Sequence, residues 1–248
     1  MGNLTLNSIT PNGVGKIKLG SSNVQRIYSG STLVWPASPG PAPAPDPEPV
    51  EICGLIWTDA NSSETELIAG GNIPILTNDV DWYAAWEGNT PAACYVDFDP
   101  SNSTYGLIYN YWARYAIKPP TGFRLPTTND WGAIFSSLSS TCYVDNGNRF
   151  NRFGANPGEW NPAQLTNTAE LGDTGFNSEG YGYAYTNTTT EVLEFQNFQQ
   201  AEVYWTDNSI TPSTPAGYGF SLSSGEIGSI NIGDYSLWCF FMRFVKDA

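Results

Sequence analysis

The sequence contains no histidine, and only 10 lysines and arginines stand against 24 aspartates and glutamates in its 248 residues. Without an imidazole, Ser-His-Asp and Cys-His nucleophilic mechanisms lack their general base and are excluded. The formal charge of -14, with no basic cluster, would repel a phosphate backbone, so no nucleic-acid partner is expected. Charged residues make up 14% of the chain, below the roughly 25% of ordinary soluble domains, and Asn, Ser, Thr and Gly fill the gap. The surface is expected to be polar but sparsely charged. Cysteine is also scarce. Cys53, Cys94, Cys142 and Cys239 are too scattered for a disulfide framework and none forms a C-x-x-C pair, so they read as mostly buried thiols rather than zinc ligands. No run approaches the roughly 20 apolar residues of a membrane helix, and no membrane insertion is expected. The opening MGNLTLNSIT has neither a charged n-region nor an apolar h-region, and Leu6 stands where N-myristoylation needs Ser or Thr, so no export signal or lipid anchor is expected.

Hydrophobic residues at 40%, with 14% aromatic, suffice for a packed core in one large or two unequal domains. The clearest boundary is the stretch WPASPGPAPAPDPEPV, Trp35 to Val50, in which alternate residues are proline from Pro39 to Pro49. Alternating proline removes backbone donors and favours polyproline II, a spacer of roughly 3.1 Å per residue, hence about 40 to 50 Å if straight. The expected organisation is an N-terminal module over 1–36, a linker over 37–50 and a larger domain over 51–248. Within the first module, apolar residues alternate between Gly-Ser pairs at Gly20-Ser21 and Gly30-Ser31, the pattern of short strands. So short a module buries little core alone and needs a partner surface or self-association. A flexible hairpin is the alternative.

Leu19-Gly20-Ser21, Val24, Ile27-Tyr28, Gly30-Ser31 and Val34-Trp35-Pro36 resemble a short element at the ends of many tailed-bacteriophage structural proteins, where it precedes a Pro-rich linker. The resemblance implies a virion protein assembled in the host cytoplasm. Its anchor to other virion proteins would comprise Leu19, Val24, Ile27, Tyr28, Leu33, Val34 and Trp35.

In the larger domain, YGLIYNYWARYA places Leu107, Ile108, Tyr111, Trp112 and Tyr115 on one helical face, which predicts a helix there. A second helix is predicted from Trp131, Ile134, Phe135 and Leu138 at i, i+3, i+4, i+7, with Thr127 or Thr128 as N-cap and Asp130 near the positive end of the dipole. In the same stretch, PPTGFRLPTTNDW, Pro119-Pro120 and Gly122 predict a turn, and Arg124 is expected to pair within the fold. From Cys142 onward, loops and short strands are expected, ending in the buried run Leu237 to Val245.

TYGLIYNYWA, PPTGFRLPTTNDW, VYWTDNS and the terminal RFVKD resemble the major paralogous domain family first named from Fibrobacter (FISUMP). The upstream segments NIPILTNDVDWYAAWEG and ACYVDFD fall where that family has matching segments. The family is similar in fold to C-type lectins, to formylglycine-generating enzymes and to the variable proteins of diversity-generating retroelements. The resemblance implies an α+β, C-type-lectin-like domain: two helices, small twisted antiparallel sheets and long loops, behind the small all-β module. Fold alone does not choose among those functions.

A formylglycine-type enzyme needs reactive cysteines near the C-terminus, where only Cys239 lies, flanked by Trp238 and Phe240 as a buried thiol would be. No carboxylate pair is singled out for glycoside hydrolysis, although 24 acidic residues leave that alternative open. No cofactor is expected. Calcium is the nearest candidate, yet DFDPSN, Asp97 to Asn102, lacks Gly at the sixth position of an EF-hand and has Ile108 where its Glu belongs. The family often has a cysteine where this chain has Lys118, which removes the partner the resemblance implies for Cys239 and suits assembly in a reducing compartment.

Recognition remains. Tyr204, Trp205, Asp207, Asn208 and Ser209, followed by Tyr218, Ser221, Ser223, Asn231, Tyr235 and Ser236, mix amphipathic aromatics with small hydrogen-bonding side chains, the chemistry of a paratope. Trp205 and Trp238 have the alternative of a core position, favoured for Trp238. The expected function is a non-enzymatic bacteriophage fibre or decoration protein that binds a host-surface glycan or protein, as a homo-oligomer and by analogy a trimer. A bacterial cell-surface adhesion protein and, less favoured, a glycan-active enzyme are the alternatives.

Overall fold

The computed structural model describes residues 49–133, 175–207 and 234–248 with their side chains, and the backbone alone of 134–137 and of the strands outside those ranges. The chain divides into two units, Met1–Asp46 and Pro47–Ala248. The first contains two antiparallel strand pairs, β1 (Lys18–Leu19) with β2 (Ser22–Asn23) and β3 (Ile27–Ser29) with β4 (Thr32–Trp35). The proposed anchor residues Leu19, Ile27, Tyr28, Leu33, Val34 and Trp35 lie on these strands, and Val24 lies outside the described residues.

The second unit mixes few helices with small open sheets, an α+β architecture. It opens with a hairpin of β5 (Val50–Ile52) and β6 (Leu55–Trp57), joined by Cys53 and Gly54 at φ 56° and 77°. Two successive positive φ values are what a tight hairpin with right-twisted strands requires. The final strand, β16 (Val245–Asp247), pairs with β6, so the two ends of the unit share one sheet. A second small sheet comprises β7 (Ile75–Leu76), β8 (Ala93–Cys94) and β9 (Ile108–Tyr109). The largest sheet runs β11 (Val192–Gln196), β10 (Tyr181–Asn187), β12 (Ala201–Trp205), β13 (Gly217–Ser221), β14 (Glu226–Ile230), and β15 (Trp238–Cys239) also pairs with β10.

Three α-helices are described: α1 (Asp79–Glu87), the single turn α2 (Ala113–Ala116) and α3 (Thr128–Ser137). The helix α3 begins where the sequence predicts. The Thr127 hydroxyl accepts from the Asp130 backbone N–H at 3.3 Å, and the Asp130 carboxylate accepts from the Thr127 backbone N–H at 2.6 Å, a reciprocal cap. Arg124 closes on Asp130 through both terminal nitrogens, at 2.5 and 2.9 Å. The preceding turn is type II, with Gly122 at φ 82° and the Phe123 N–H donating to the Pro120 carbonyl.

The helix predicted over 105–116 is corrected. Pro100–Tyr105 form a 3₁₀ helix, Gly106 takes φ 81° with its Cα packed so closely on Asn61 that a Cβ would stand 2.6 Å away, and the chain then enters β9. Leu107 and Tyr109 enter one core cluster and Ile108 the other, a period of two. The sequence pattern in turn missed α1, because its apolar residues make no stripe: Trp82 is buried while Val80 is 77% exposed. Local chemistry fixes that helix instead. The Asn78 side chain caps the Asp81 N–H, and Asp79 accepts from the Leu193 N–H at 2.8 Å, tying α1 to β11.

Strand β12 is central. Every residue of it is buried, with Val203 and Trp205 entering one cluster and Tyr204 the other. The segment beside it, Cys239 to Val245, alternates in the same way. Sequence analysis places Tyr204 and Trp205 on an exposed binding face, and this is corrected: both have 0% exposure because β12 is covered on both sides. Glu202 on the same strand is also fully buried, and accepts from Asn61 (2.6 Å), Ser178 (2.6 Å) and the N–H groups of Glu179 and Gly180. Arg243, 1% exposed, donates to Asn61 Oδ1 at 3.0 Å and to the carbonyls of Thr58, Phe176 and Asn177. Asn61 bridges the two charges. This network joins the loop after β6, the segment before β10, β12 and the chain terminus around two buried charged groups linked through Asn61.

Candidate functional site

The polar and aromatic side chains that reach the surface gather around β10, β15 and α2. Along β10, Ala184 and Thr186 face the core, whereas Tyr183 and Tyr185 are half-buried on the opposite side. Antiparallel pairing sets Tyr185 opposite Trp238, with ring centroids 5.0 Å apart, and Tyr183 lies 5.4 Å from the same indole. Trp238 is half-buried, neither core nor free surface. Asn197 donates to the Tyr183 hydroxyl at 2.7 Å and fixes that ring.

The aromatic contact continues inward. Phe240 lies 6.2 Å from Trp238 and 4.5 Å from Trp205, whose indole N–H donates to the Tyr109 carbonyl at 2.9 Å. Trp205 in turn meets Tyr111 edge-on at 5.9 Å. Beside this pair sits Arg114, its guanidinium 4.1 Å from the Tyr111 ring, 4.3 Å from Tyr115 and 5.4 Å from Trp205. The single turn α2 presents it there because the Asn110 carbonyl oxygen accepts from the N–H groups of Ala92 and Ala113, each at 3.1 Å, while its amide donates to the Thr90 carbonyl.

Arg114 is 5% exposed, and no acceptor among the described residues meets its Nε or Nη1. Burial pulls its pKa down, opposed by Tyr115, Tyr111, Asp207 and Tyr235, which favour the charged form electrostatically. Asp207 is held through its backbone, its N–H donating to the Pro126 carbonyl next to the α3 cap. Tyr235 packs partly buried against the same core cluster. It lies on a 3₁₀ turn capped by Asp234, which accepts from the Ser236 N–H and hydroxyl at 3.0 and 2.7 Å.

Of the expected ligand-binding residues, Asp207, Tyr235 and Ser236 are therefore near this face, and Trp205 forms its floor rather than its surface. Tyr204 is remote from solvent in the other cluster. Tyr218 and Ser221 are on β13, Tyr218 in register with Tyr204 and Ser221 with Ala201. Asn208, Ser209, Ser223 and Asn231 lie outside the described residues, as does Cys142. Missing from the expectation are Tyr111, Arg114, Tyr183 and Tyr185. The available signal for two of them is YNYWARYA, a scarce basic residue set among aromatics.

Burial pushes the thiols of Cys94 and Cys239 well up, which leaves them protonated and unreactive. Asp99 caps a 3₁₀ turn through the Ser101 N–H, and no group of three His, Cys, Asp or Glu suited to a metal occurs among the described residues. Lys118 forms an exposed ion pair with Glu66 at 2.6 Å.

Residues 50–224 match the Fibrobacter succinogenes major domain family. The chain belongs to that family. No curated protein and no solved structure matches it. The matched span of the Fibrobacter major domain includes α1 to α3 and β10 to β13, hence Arg114, Tyr183 and Asp207, but stops before Tyr235, Trp238 and Arg243.

Proposed function

We propose that this protein is a non-enzymatic recognition protein of a bacteriophage virion, a fibre or decoration component. Its C-type-lectin-like domain binds a host-surface glycan or protein through the face around Trp238 and Arg114. The observation that carries this reading is the row of half-buried aromatics, Tyr183 and Tyr185 on β10 and Trp238 on the paired β15, with Tyr235 on the 3₁₀ turn just before β15. Tyr and Trp offer rigid contact area with a polar tip at little entropic cost, as binding faces require. A sheet shared by the first hairpin and the last strand of the domain suits a lectin-like scaffold.

A non-enzymatic role is supported by the fate of the reactive candidates. Glu202 has its carboxylate oxygens occupied by four donors, and the Cys239 thiol is sealed in the core. Residues 1–36 act as the virion anchor in this reading, with the Pro-rich segment as a spacer to the distal domain. A bacterial surface adhesin is the second reading, favoured by the bacterial source for which the family is named.

Adsorption of the purified chain to host cells tests the face. Trp238→Ala together with Tyr235→Ala is expected to reduce adsorption at least tenfold with little change in melting temperature, since hot spots centre on such aromatics. Unchanged adsorption would place recognition elsewhere. Deleting 1–36 is expected to leave a folded domain that no longer enters virions, and retained incorporation would remove the anchor role.

A further inference from the structure

A buried arginine ordinarily finds acceptors for its donors, because an unpaired buried donor costs free energy and a charge costs more. Among the described residues the buried Arg243 obeys this rule, and the half-exposed Arg124 is also paired. Arg243 meets one side-chain oxygen and three carbonyls, and Arg124 grips Asp130 with two nitrogens. Arg114 departs from it. It is more than nine-tenths buried, its Nε and Nη1 meet no acceptor among the described residues, and what it has instead are the π faces of Tyr111, Tyr115 and Trp205. Such faces stabilise the charge without using the in-plane N–H donors, so the fork remains open to an anion.

We propose that the Arg114 cage is the anion-binding subsite of the recognition face, and that its ligand is a carboxylate-bearing sugar, a uronic or sialic acid of a surface polysaccharide. The proposal rests on the recognition function given above. A planar carboxylate matches a guanidinium edge, and a charge-assisted hydrogen bond from Nε or Nη1 would satisfy a donor the fold leaves unmet. Tyr115, 42% exposed and stacked on the guanidinium, is the cover, and its rotation admits the ligand. Exposed side chains make such rotations freely. The aromatic surroundings suit a sugar ring, which can lay its apolar C–H face on Tyr111 or Tyr115 while its acid group reaches Arg114. The chain carries a net charge of -14, so the surrounding field does not gather anions, and recognition depends on this short-range fit.

The test uses the full chain titrated by calorimetry with methyl β-glucuronide and N-acetylneuraminic acid, and with methyl β-glucoside as the neutral control. At least one acid is expected to bind about tenfold or more tightly than the glucoside, the scale of one charge-assisted hydrogen bond. Arg114→Gln is expected to abolish that preference. Arg114→Lys, which keeps the charge but not the fork, should retain only part of it. Equal affinity for acids and glucoside overturns the proposal, as does an acid preference that survives Arg114→Gln. Host-cell adsorption by the same protein separates the two levels. Adsorption without acid preference removes this inference alone, whereas no adsorption and no sugar binding removes the recognition function with it.

Discussion

Two buried arginines, Arg243 and Arg114, occupy opposite conditions within one domain. Arg243 is 1% exposed and its guanidinium is saturated by Asn61 and by carbonyls from two loops, with Glu202 reached through the same asparagine. Arg114 is 5% exposed and is held by aromatic faces, with Nε and Nη1 unmatched among the described residues. Burial alone therefore does not mark a residue as structural. The use of its donors does: where they are bound to loop backbone and side chains of the fold the residue organises the fold, and where they are not, binding capacity is left over.

The sharpest break in that comparison is Arg243→Met. It removes the donors that hold the carbonyls of Thr58, Phe176 and Asn177 and leaves Glu202 without its balancing charge. Leaving a buried polar group unmet costs about 1 to 3 kcal/mol and several are left here, so the midpoint of denaturation is expected to fall steeply or the domain to be recovered unfolded. An unchanged midpoint in urea would show that the network does not organise the domain.

A smaller loss is expected for Asp130→Asn at the α3 cap. Burial of Asp130 raises its pKa, but hydrogen bonds from Arg124 and Thr127 outweigh this and hold it below its ordinary 3.8. A carboxyl depressed on folding stabilises above its unfolded value, and that contribution is lost as pH falls through the folded value. The wild type should thus hold the contribution in full above about pH 5 and lose it below about pH 4. Arg124 is 44% exposed in its side chain, which screens the pair, so the substitution should cost about 1 to 2 kcal/mol at pH 7. The difference between variant and wild type should shrink in acid. A difference constant from pH 7 to pH 3, measured by thermal unfolding, would show that the ion pair is not responsible.

What the sequence disclosed divides along the same line. The α3 cap, the type II turn before it and the pairing of Arg124 are local, written in residues within seven positions of one another, and they were legible. The alternating burial of the C-terminal run was legible as apolarity, but its two-sidedness was not. Tyr204 and Trp205 read as a binding surface because Tyr and Trp with Asp and Asn suit either role, and only the pairing of β12 inside the largest sheet decides it. The helix expected over 105–116 failed at Gly106, whose close approach to Asn61 is a contact across 45 positions of sequence. The cage around Arg114 unites α2 with Trp205, some ninety residues apart. No local pattern contains that distance.

Arg114→Gln should give the smallest change in stability of the three, and this is where the comparison is most exposed. The substitution removes cation-π contacts, which contribute about 0.5 to 2 kcal/mol when desolvated, but also releases the cost of a buried charge whose Nε and Nη1 have no acceptor among the described residues. These terms oppose each other, so the unfolding free energy should move by less than about 1 kcal/mol. Far-ultraviolet dichroism and the urea midpoint should be near those of the wild type, in contrast to Arg243→Met. A loss of 3 kcal/mol or more would put Arg114 in the same class as Arg243, with its donors met in solution by acceptors belonging to the fold, and the distinction between an organising and a receptive arginine would collapse.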